Sequence, residues 1–465
     1  MKPNPKLLLI PLIGLMTTLI YAQSSPGSNF DNYGGIYTAI ANPANIVDSK
    51  HKVDIGVAYN HLSYAEYGDI PLYYVEDPTG FNGIEYTENL DNDAAVNTSA
   101  LADRDVIVSG MFSLNARHAL AITARSRAFI NYDDFNGYLW EGINSEFSQD
   151  AITIANPALN SSTHHWKEAG LSYALVLANA ENHFLKFGGT FKYLMGAGAT
   201  QLDGNLNGDY QNDIGQDDLR LDGSLNYINT FPEDYFSENQ NNLQDLVFNS
   251  SVQGTGIGGD IGMVYEWRPR STNRVDEGVN ASALTKYKFR LSAAVLDLGT
   301  ITYKDFVSEE FLINDVEFKG REIRQDNGLL NTLRKNTNDV TVVPTTGDAV
   351  VSLPTSLQLN FDVLLKNGAN HYLNLNYMAA MSSSGSIYSS DRLNLATVSY
   401  RYETRNFSVY TPISYSTDLQ EITGGIGMRL YFLTIGSATL SNLFMEGYVD
   451  NLFVGINFRK LEELF

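Results

Sequence analysis

The chain of 465 residues contains no cysteine, which excludes a disulfide framework, thiolate metal centres and cysteine nucleophiles. Positive charge is scarce: 31 Lys and Arg stand against 53 Asp and Glu, a formal net charge of −22. Nucleic-acid phosphates need a basic footprint, so nucleic acid is excluded as a partner. Charged residues make up only 18% of the chain, which does not suit a disordered acidic tail. Beyond Ala22 no run approaches the ~18 consecutive apolar residues of a transmembrane helix. The only spanning architecture left open is a closed β-barrel.

The first residues carry a secretory pattern. Lys2 and Lys6 precede the apolar run Leu7–Ile20, and Ile20-Tyr21-Ala22 offers a small-residue cleavage site, so residues 1–22 are expected to be a signal peptide. The rest is rich in Gly, Asn, Ser and aromatics, with 28 Tyr and 23 Phe. Period-two alternation marks strands near 53–63, 105–115, 118–131, 165–177, 184–197, 253–267, 286–304, 354–366, 371–382, 391–403, 407–415, 422–429, 432–439 and 447–459. In several of them one face is apolar and the other polar or basic. Leu373, Leu375 and Tyr377 oppose Asn374 and Asn376; Leu120 and Ile122 oppose Thr123, Arg125 and Arg127; Leu185, Phe187, Phe191 and Tyr193 oppose Lys186, Thr190 and Lys192. A lipid-facing apolar band over a polar lumen is the signature of a membrane barrel.

The spacing predicts an all-β, transmembrane antiparallel barrel of about 14 strands over residues 53–459, with a tail at 460–465. Long connections at 64–104, 132–164, 198–252 and 305–353 alternate with short turns, placing the long ones outside and both termini in the periplasm. Three short turns share a form, Asn115 before His118, Asn182-His183 and Asn370-His371. Asn suits the turn, and His is expected at the membrane boundary.

Several motifs offer chemistry. Gly254, Gly256 and Gly259 fit G-x-G-x-x-G, but Asp260–Tyr265 continues as strand, so strand bending or close packing is expected instead of dinucleotide binding. Asp203, Asn205, Asn207 and Asp209 repeat the oxygen spacing of a calcium loop, while the twelfth position is Ile214 in place of the bidentate Glu. Calcium is therefore the one cofactor to consider, beside the reading of a solvated acidic loop. His164-His165-Trp166 is expected at the outer rim, with Trp166 in the aromatic belt. Arg125, Arg127, Lys186 and Lys192 are lumen-facing candidates, for selecting anionic solutes or for pairing with acidic neighbours and plug residues. No nucleophile elbow, H-E-x-x-H or phosphate loop occurs, and no catalytic residue is assigned.

The segment Gly35–Asn45 contains Asn42-Pro43-Ala44 just before the first strand; Leu185–Gly196, Gly258–Tyr265, Leu353-Pro354 and Gly425–Arg429 follow in order. Together these elements resemble the fatty-acid-transporter-like outer-membrane barrels (FadL/PorV-type), including the PorV-type subunits of Bacteroidota secretion machinery, over about residues 30–460. The resemblance implies an outer-membrane barrel of a Gram-negative bacterium, in a Bacteroidota branch, with residues 23–52 folded inward as a plug. Asn42, Pro43 and Ala44 would be plug residues. Two functions follow. A scaffold subunit of an outer-membrane assembly or secretion complex would hold partner proteins with its long acidic loops. A passive transporter would carry hydrophobic small molecules. The scaffold is the reading favoured by the long loops, the resemblance to PorV-type subunits and the absence of site chemistry. Expected partners are outer-membrane lipid, lipopolysaccharide and other outer-membrane or surface proteins.

Overall fold

A computed structural model describes residues 27–465 except 68–71, 75–83, 87–94, 106–108, 140–150, 156, 213–216, 233–250, 270–286, 327, 367–369, 382–391, 418–420, 441–449 and 462–465. The expected signal peptide and almost all of the tail at 460–465 lie outside the described residues.

Three 3-10 turns come first, Ser28–Phe30, Gly35–Ile40 and Pro43–Ile46. The strands are β1 (His51–Tyr67), β2 (Leu72–Tyr74), β3 (Ile84–Tyr86), β4 (Ala95–Asp105), β5 (Ser109–Asn115), β6 (His118–Asn136), β7 (Ala151–Ile154), β8 (Asn160–Ala180), β9 (His183–Gln211), β10 (Asp218–Asn229), β11 (Gly254–Trp267) and β12 (Phe289–Lys319). Two short helices follow, α1 (Gly320–Gln325) and α2 (Leu329–Lys335). Then come β13 (Val340–Ser352), β14 (Ser356–Leu364), β15 (His371–Ala380), β16 (Leu395–Glu403), β17 (Phe407–Ser416), β18 (Glu421–Gly424), β19 (Ile426–Leu430), β20 (Leu433–Ser437) and β21 (Asp450–Leu461).

All of these except β2 and β3 belong to one sheet, which closes where β1 pairs antiparallel with β21. Closure leaves the sheet without a free edge to expose in a bilayer. β4 and β5 both lie between β1 and β6 and act as one interrupted strand. β18 and β19 do the same along β17. With each pair counted once and the four-residue β7 set aside, the closed sheet has 16 strands where about 14 were expected. The two extra strands are β10 and β13, which lie in segments expected to be loops, 198–252 and 305–353. Toward the short turns β11 sits between β9 and β12, and above it β10 bridges the extended ends of the same two strands.

Side chains alternate as a membrane barrel requires. Phe191 is 58% exposed beside Lys192 at 3%, and Leu375 is 44% exposed beside Asn374 at 1%. Outward positions are apolar and inward ones polar, the reverse of a soluble sandwich. At the short-turn end the three Asn-His hairpins repeat one contact. His118, His183 and His371 each place Nδ1 against a hydroxyl on the adjacent strand, those of Tyr173, Tyr265 and Tyr400, at 2.7, 2.7 and 2.5 Å. At the opposite end β9, β10, β12 and β13 extend as a turret. One of its faces buries Leu206, Leu219, Leu221, Leu225, Phe311 and Val316 against Leu329 and Leu333 of α2.

Candidate functional site in the barrel lumen

β9 runs the length of the lumen, and its inward residues mark successive layers. At about 3.3 Å per residue, Phe184 packs with the plug's apolar side chains. Two residues on, the Lys186 ammonium donates to the backbone carbonyl of Val47 (3.3 Å) and lies 3.6 Å from Glu266. Gly188 then touches the plug, Lys192 enters an ion cluster and Leu194 joins an apolar layer.

The plug motif is a capped turn. Asn42 is extended and its Oδ1 accepts from the Ala44 N–H at 2.9 Å, while Pro43 stands at the first helical position. That is the chemistry of an N-cap followed by a proline with preset φ. The Asn42 amide also donates to the wall carbonyls of Met263 and Ala293, at 3.2 and 3.1 Å. Two wall glycines make room for it. A Cβ on Gly188 would lie 2.5 Å from the Ala44 nitrogen, and one on Gly262 would lie 2.1 Å from Asn42 Oδ1.

Below this cradle the plug is pinned by buried polar pairs. Arg429 Nε and the Tyr410 hydroxyl both donate to Asp31 Oδ2, at 2.7 and 2.6 Å. Burial pushes the Asp31 carboxyl up, but the Arg429 guanidinium, the Tyr410 hydroxyl and the Arg401 charge outweigh it and hold the group well below the usual carboxylate range. Glu403 accepts from the Asn32 backbone, and Arg290 donates to the Phe30 carbonyl at 2.9 Å. At the closing seam Asp54 of β1 accepts from the Ile36 N–H at 2.7 Å and from Asn457 of β21 at 2.9 Å. The Tyr37 hydroxyl donates to the Ile456 carbonyl.

Above the plug lies an ion cluster drawn from five strands and one connection. Asp297 meets Arg127 at 2.6 Å, Lys192 at 2.7 Å and Arg392 at 2.8 Å, and its own N–H donates to Asp260 at 2.8 Å. Glu168 reaches Arg125 at 3.2 Å and Arg127 at 3.6 Å. Asp297 has φ 59, an uncommon backbone for a residue other than glycine. β11 and β12 slip register beside it, between Gly259 and Ile261. Such a bulge re-aims a side chain, here bringing a carboxylate to three cations. Buried pairs of this kind add little net stability but are costly to break singly.

Arg125, Arg127, Lys186 and Lys192 are thus all buried and paired with carboxylates, Lys186 also with the plug. Trp166 corrects the aromatic-belt expectation. A bulge between His165 and Trp166 shifts the register against β9, and the indole is fully buried, stacked on Phe129 at 5.4 Å beneath Arg127. Its Nε1 donates to Glu168. His164 and His165 are buried too, against Tyr303 and Ser126 respectively. Asp203, Asn205, Asn207 and Asp209 are not in a loop but on β9, at alternate positions of its exposed face. Extended backbone spreads such residues in a row, where a calcium loop would wrap them round one point. Among the described residues no group of three His, Cys, Asp or Glu is arranged to hold a metal. The glycines of the dismissed dinucleotide motif remain in strand: Gly254, together with Gly196, leaves space for the Tyr303 ring.

Sequence reasoning missed Asp260, Asp297, Glu168 and Arg392 as members of the lumen cluster, since their partners lie as far as 170 residues away. The parity of Asp260 within β11 was the available signal. Together these features define a transmembrane β-barrel whose lumen holds its own N-terminal segment. A model of a family of unknown function, DUF5723, matches residues 43–438, and the chain belongs to that family. No curated protein matches the chain. Solved structures with distant likeness include the Ralstonia pickettii toluene transporter TbuX, at 11% identity and TM-score 0.42 over 92% of this chain and 94% of that one. The Pseudomonas aeruginosa FadL homologue is 12% identical with TM-score 0.41, over 95% and 96%. The Pseudomonas putida toluene transporter TodX is 12% identical with TM-score 0.41, over 95% and 98%.

Proposed function

We propose that the protein is a non-enzymatic passive transporter of small hydrophobic molecules, in the outer membrane of a Gram-negative cell, with its short turns and termini in the periplasm. The observation that carries this reading is the order of layers along β9. An apolar region of Phe129, Trp166, Leu194, Ile301 and Tyr303 stands inside the lumen above a stopper that contributes no strand to the wall. A segment held in a pore by side-chain pairs and a capped turn can leave without dismantling the barrel. The scaffold reading loses part of its support, because two of the four segments expected to reach for partners contribute β10, β13, α1 and α2. They turn their apolar faces onto one another.

The test is uptake of N-phenyl-1-naphthylamine, a dye that fluoresces in apolar surroundings, by Gram-negative cells with an intact outer membrane. Cells carrying the protein should accumulate the dye faster than vector controls. Uptake equal to the control, with stoichiometric co-purification of other membrane proteins in mild detergent, would overturn transport in favour of the scaffold.

A further inference from the structure

One side chain of the ion cluster crosses the lumen. Arg392 belongs to the connection between β15 and β16, and its Nη2 donates to Asp297 of β12 at 2.8 Å. Its guanidinium also lies 5.8 Å from the ring centroid of Phe129 on β6. From β6 the wall runs through β8, β9, β11, β12 and β14 before it reaches β15. The backbone of Arg392 and its two contacts therefore stand well apart around the barrel, joined by a chord.

The chain beside Arg392 is pivoted on the wall. Asn394 Oδ1 accepts from the Ala380 N–H at 2.9 Å, and the Asn394 carbonyl accepts from the Thr417 N–H at 3.2 Å. These bonds fix the backbone two residues after Arg392, so the side chain can swing without unpairing a wall strand. Ala380 pairs with Ser356 of β14, and Ser356 pairs with Leu296 of β12, next to Asp297. The span covers two strand spacings, about 9–10 Å, and crosses β14 at Ser356, which is fully buried.

Release of Arg392 strands no carboxylate. The wall members of the cluster are Arg125, Arg127 and Lys192 against Glu168, Asp260 and Asp297, three cations and three anions. Without Arg392, Asp297 keeps Arg127 at 2.6 Å and Lys192 at 2.7 Å. Breaking a buried pair is costly when it leaves an uncompensated charge. Arg392 is the member nearest to water, 12% exposed against 0% for Arg127 and 4% for Lys192. What it covers is apolar: Phe129 stacks on Trp166 and shares a layer with Leu194, Ile301 and Tyr303.

We propose that Arg392 is a releasable crossbar over the apolar layer, a gating residue whose departure from Asp297 and Phe129 opens the lumen from the turret side to a hydrophobic solute. The inference rests on the transport reading for its solute, whereas the motion of the bar is measured without one.

The cysteine-free chain allows a single-thiol reporter. Ser356→Cys places it under the bar, and the serine hydroxyl has no hydrogen-bond partner among the described residues, so the exchange breaks none. Maleimide labelling is followed on the purified full-length barrel in detergent. Arg392→Gln, which removes the charge, should speed labelling about tenfold or more, the worth of a charge-assisted hydrogen bond. Arg392→Lys, which keeps the charge, should stay within about threefold of the parent. Both substitutions should leave labelling of a separate Ser28→Cys reporter in the plug within about twofold, as distant sites act independently. Three results would overturn the proposal: unchanged Ser356→Cys labelling in Arg392→Gln, equal acceleration at the plug reporter, or acceleration as large in Arg392→Lys. Dye uptake by cells is scored separately. Faster labelling in Arg392→Gln with no dye uptake by parent or variant supports the crossbar and sinks transport. Dye uptake by the parent, with labelling that Arg392→Gln does not change, sinks the crossbar and spares transport.

Discussion

Replacing Asp31 by Asn should loosen the plug while leaving the wall closed. Arg429 is fully buried, and Asp31 supplies its negative partner, so the substitution strands a guanidinium in the lumen. Breaking one side of a buried pair costs about 3–5 kcal/mol. Arg429 keeps the Ser408 hydroxyl and the carbonyls of Thr404 and Arg405, which places the effect at the lower end, about 3 kcal/mol. Each 1.4 kcal/mol is a factor of ten, so the undocked population should rise on the order of 100-fold. The cysteine-free sequence makes this measurable, because Ser28→Cys introduces one thiol differing from serine by a single atom, at a buried plug position. Labelling of that thiol by a membrane-impermeant maleimide is limited by undocking when reclosing is fast. The rate in Ser28→Cys/Asp31→Asn should exceed that in Ser28→Cys alone by about two orders of magnitude, and Asp209→Asn, on the exposed face of β9, should change nothing. Equal rates in the first two would refute the view that this pair holds the plug.

The same assay reports on pH. The Asp31 carboxyl lies below its ordinary value in the docked state, so its contribution is complete above the unfolded pKa of about 3.9. It is lost as pH falls through the lower docked value. Labelling corrected for thiolate fraction should therefore be flat from pH 8 to about 4.5 and rise only in stronger acid. Gly262→Ala, whose Cβ would meet Asn42, should raise labelling at least tenfold, whereas Gly347→Ala, with open space around it, should not; the barrel's heat-modifiable gel mobility checks that the wall survives. Leu219→Ala, in the buried face of the turret, should cost about 2–5 kcal/mol locally and make β10 sensitive to limited proteolysis. A turret as protease-resistant as the parent would contradict its packing.

Much of the barrel was legible because the bilayer imposes a simple code. Leu375 against Asn374, and Phe191 against Lys192, read correctly from parity alone. β10 and β13 escaped because the exposed face of the turret carries Asp218, Arg220, Asp222, Thr345 and Asp348, and that polarity resembles a loop. The alternating Leu219, Leu221 and Leu225 were the overlooked counter-signal. Trp166 was misplaced for a different reason: it shares the parity of the buried Glu168 and Ser172 on β8, and the preference of tryptophan for a membrane boundary was read in place of that parity. The Asn42-Pro43-Ala44 turn was visible in the sequence, but its cradle joins it to Gly188 and Gly262, far away along the chain. Long-range pairing of that kind is set by closure of the sheet, not by local pattern.

The bonds from the plug to Asp54, Asn457 and Ile456 have a consequence for biogenesis. β1 and β21 are the first and last strands made, and they must find each other after everything between them is in place. Ile36 and Tyr37 grip one of these strands each, so the docked plug acts as a clasp across the final joint. Loop-closure entropy makes this most distant pairing the slowest to form. Removing residues 27–46 should therefore delay the appearance of the compact, heat-modifiable barrel during refolding into detergent more than it lowers its final yield. Assembly at an unaltered rate would mean that the stopper arrives only after the joint has sealed.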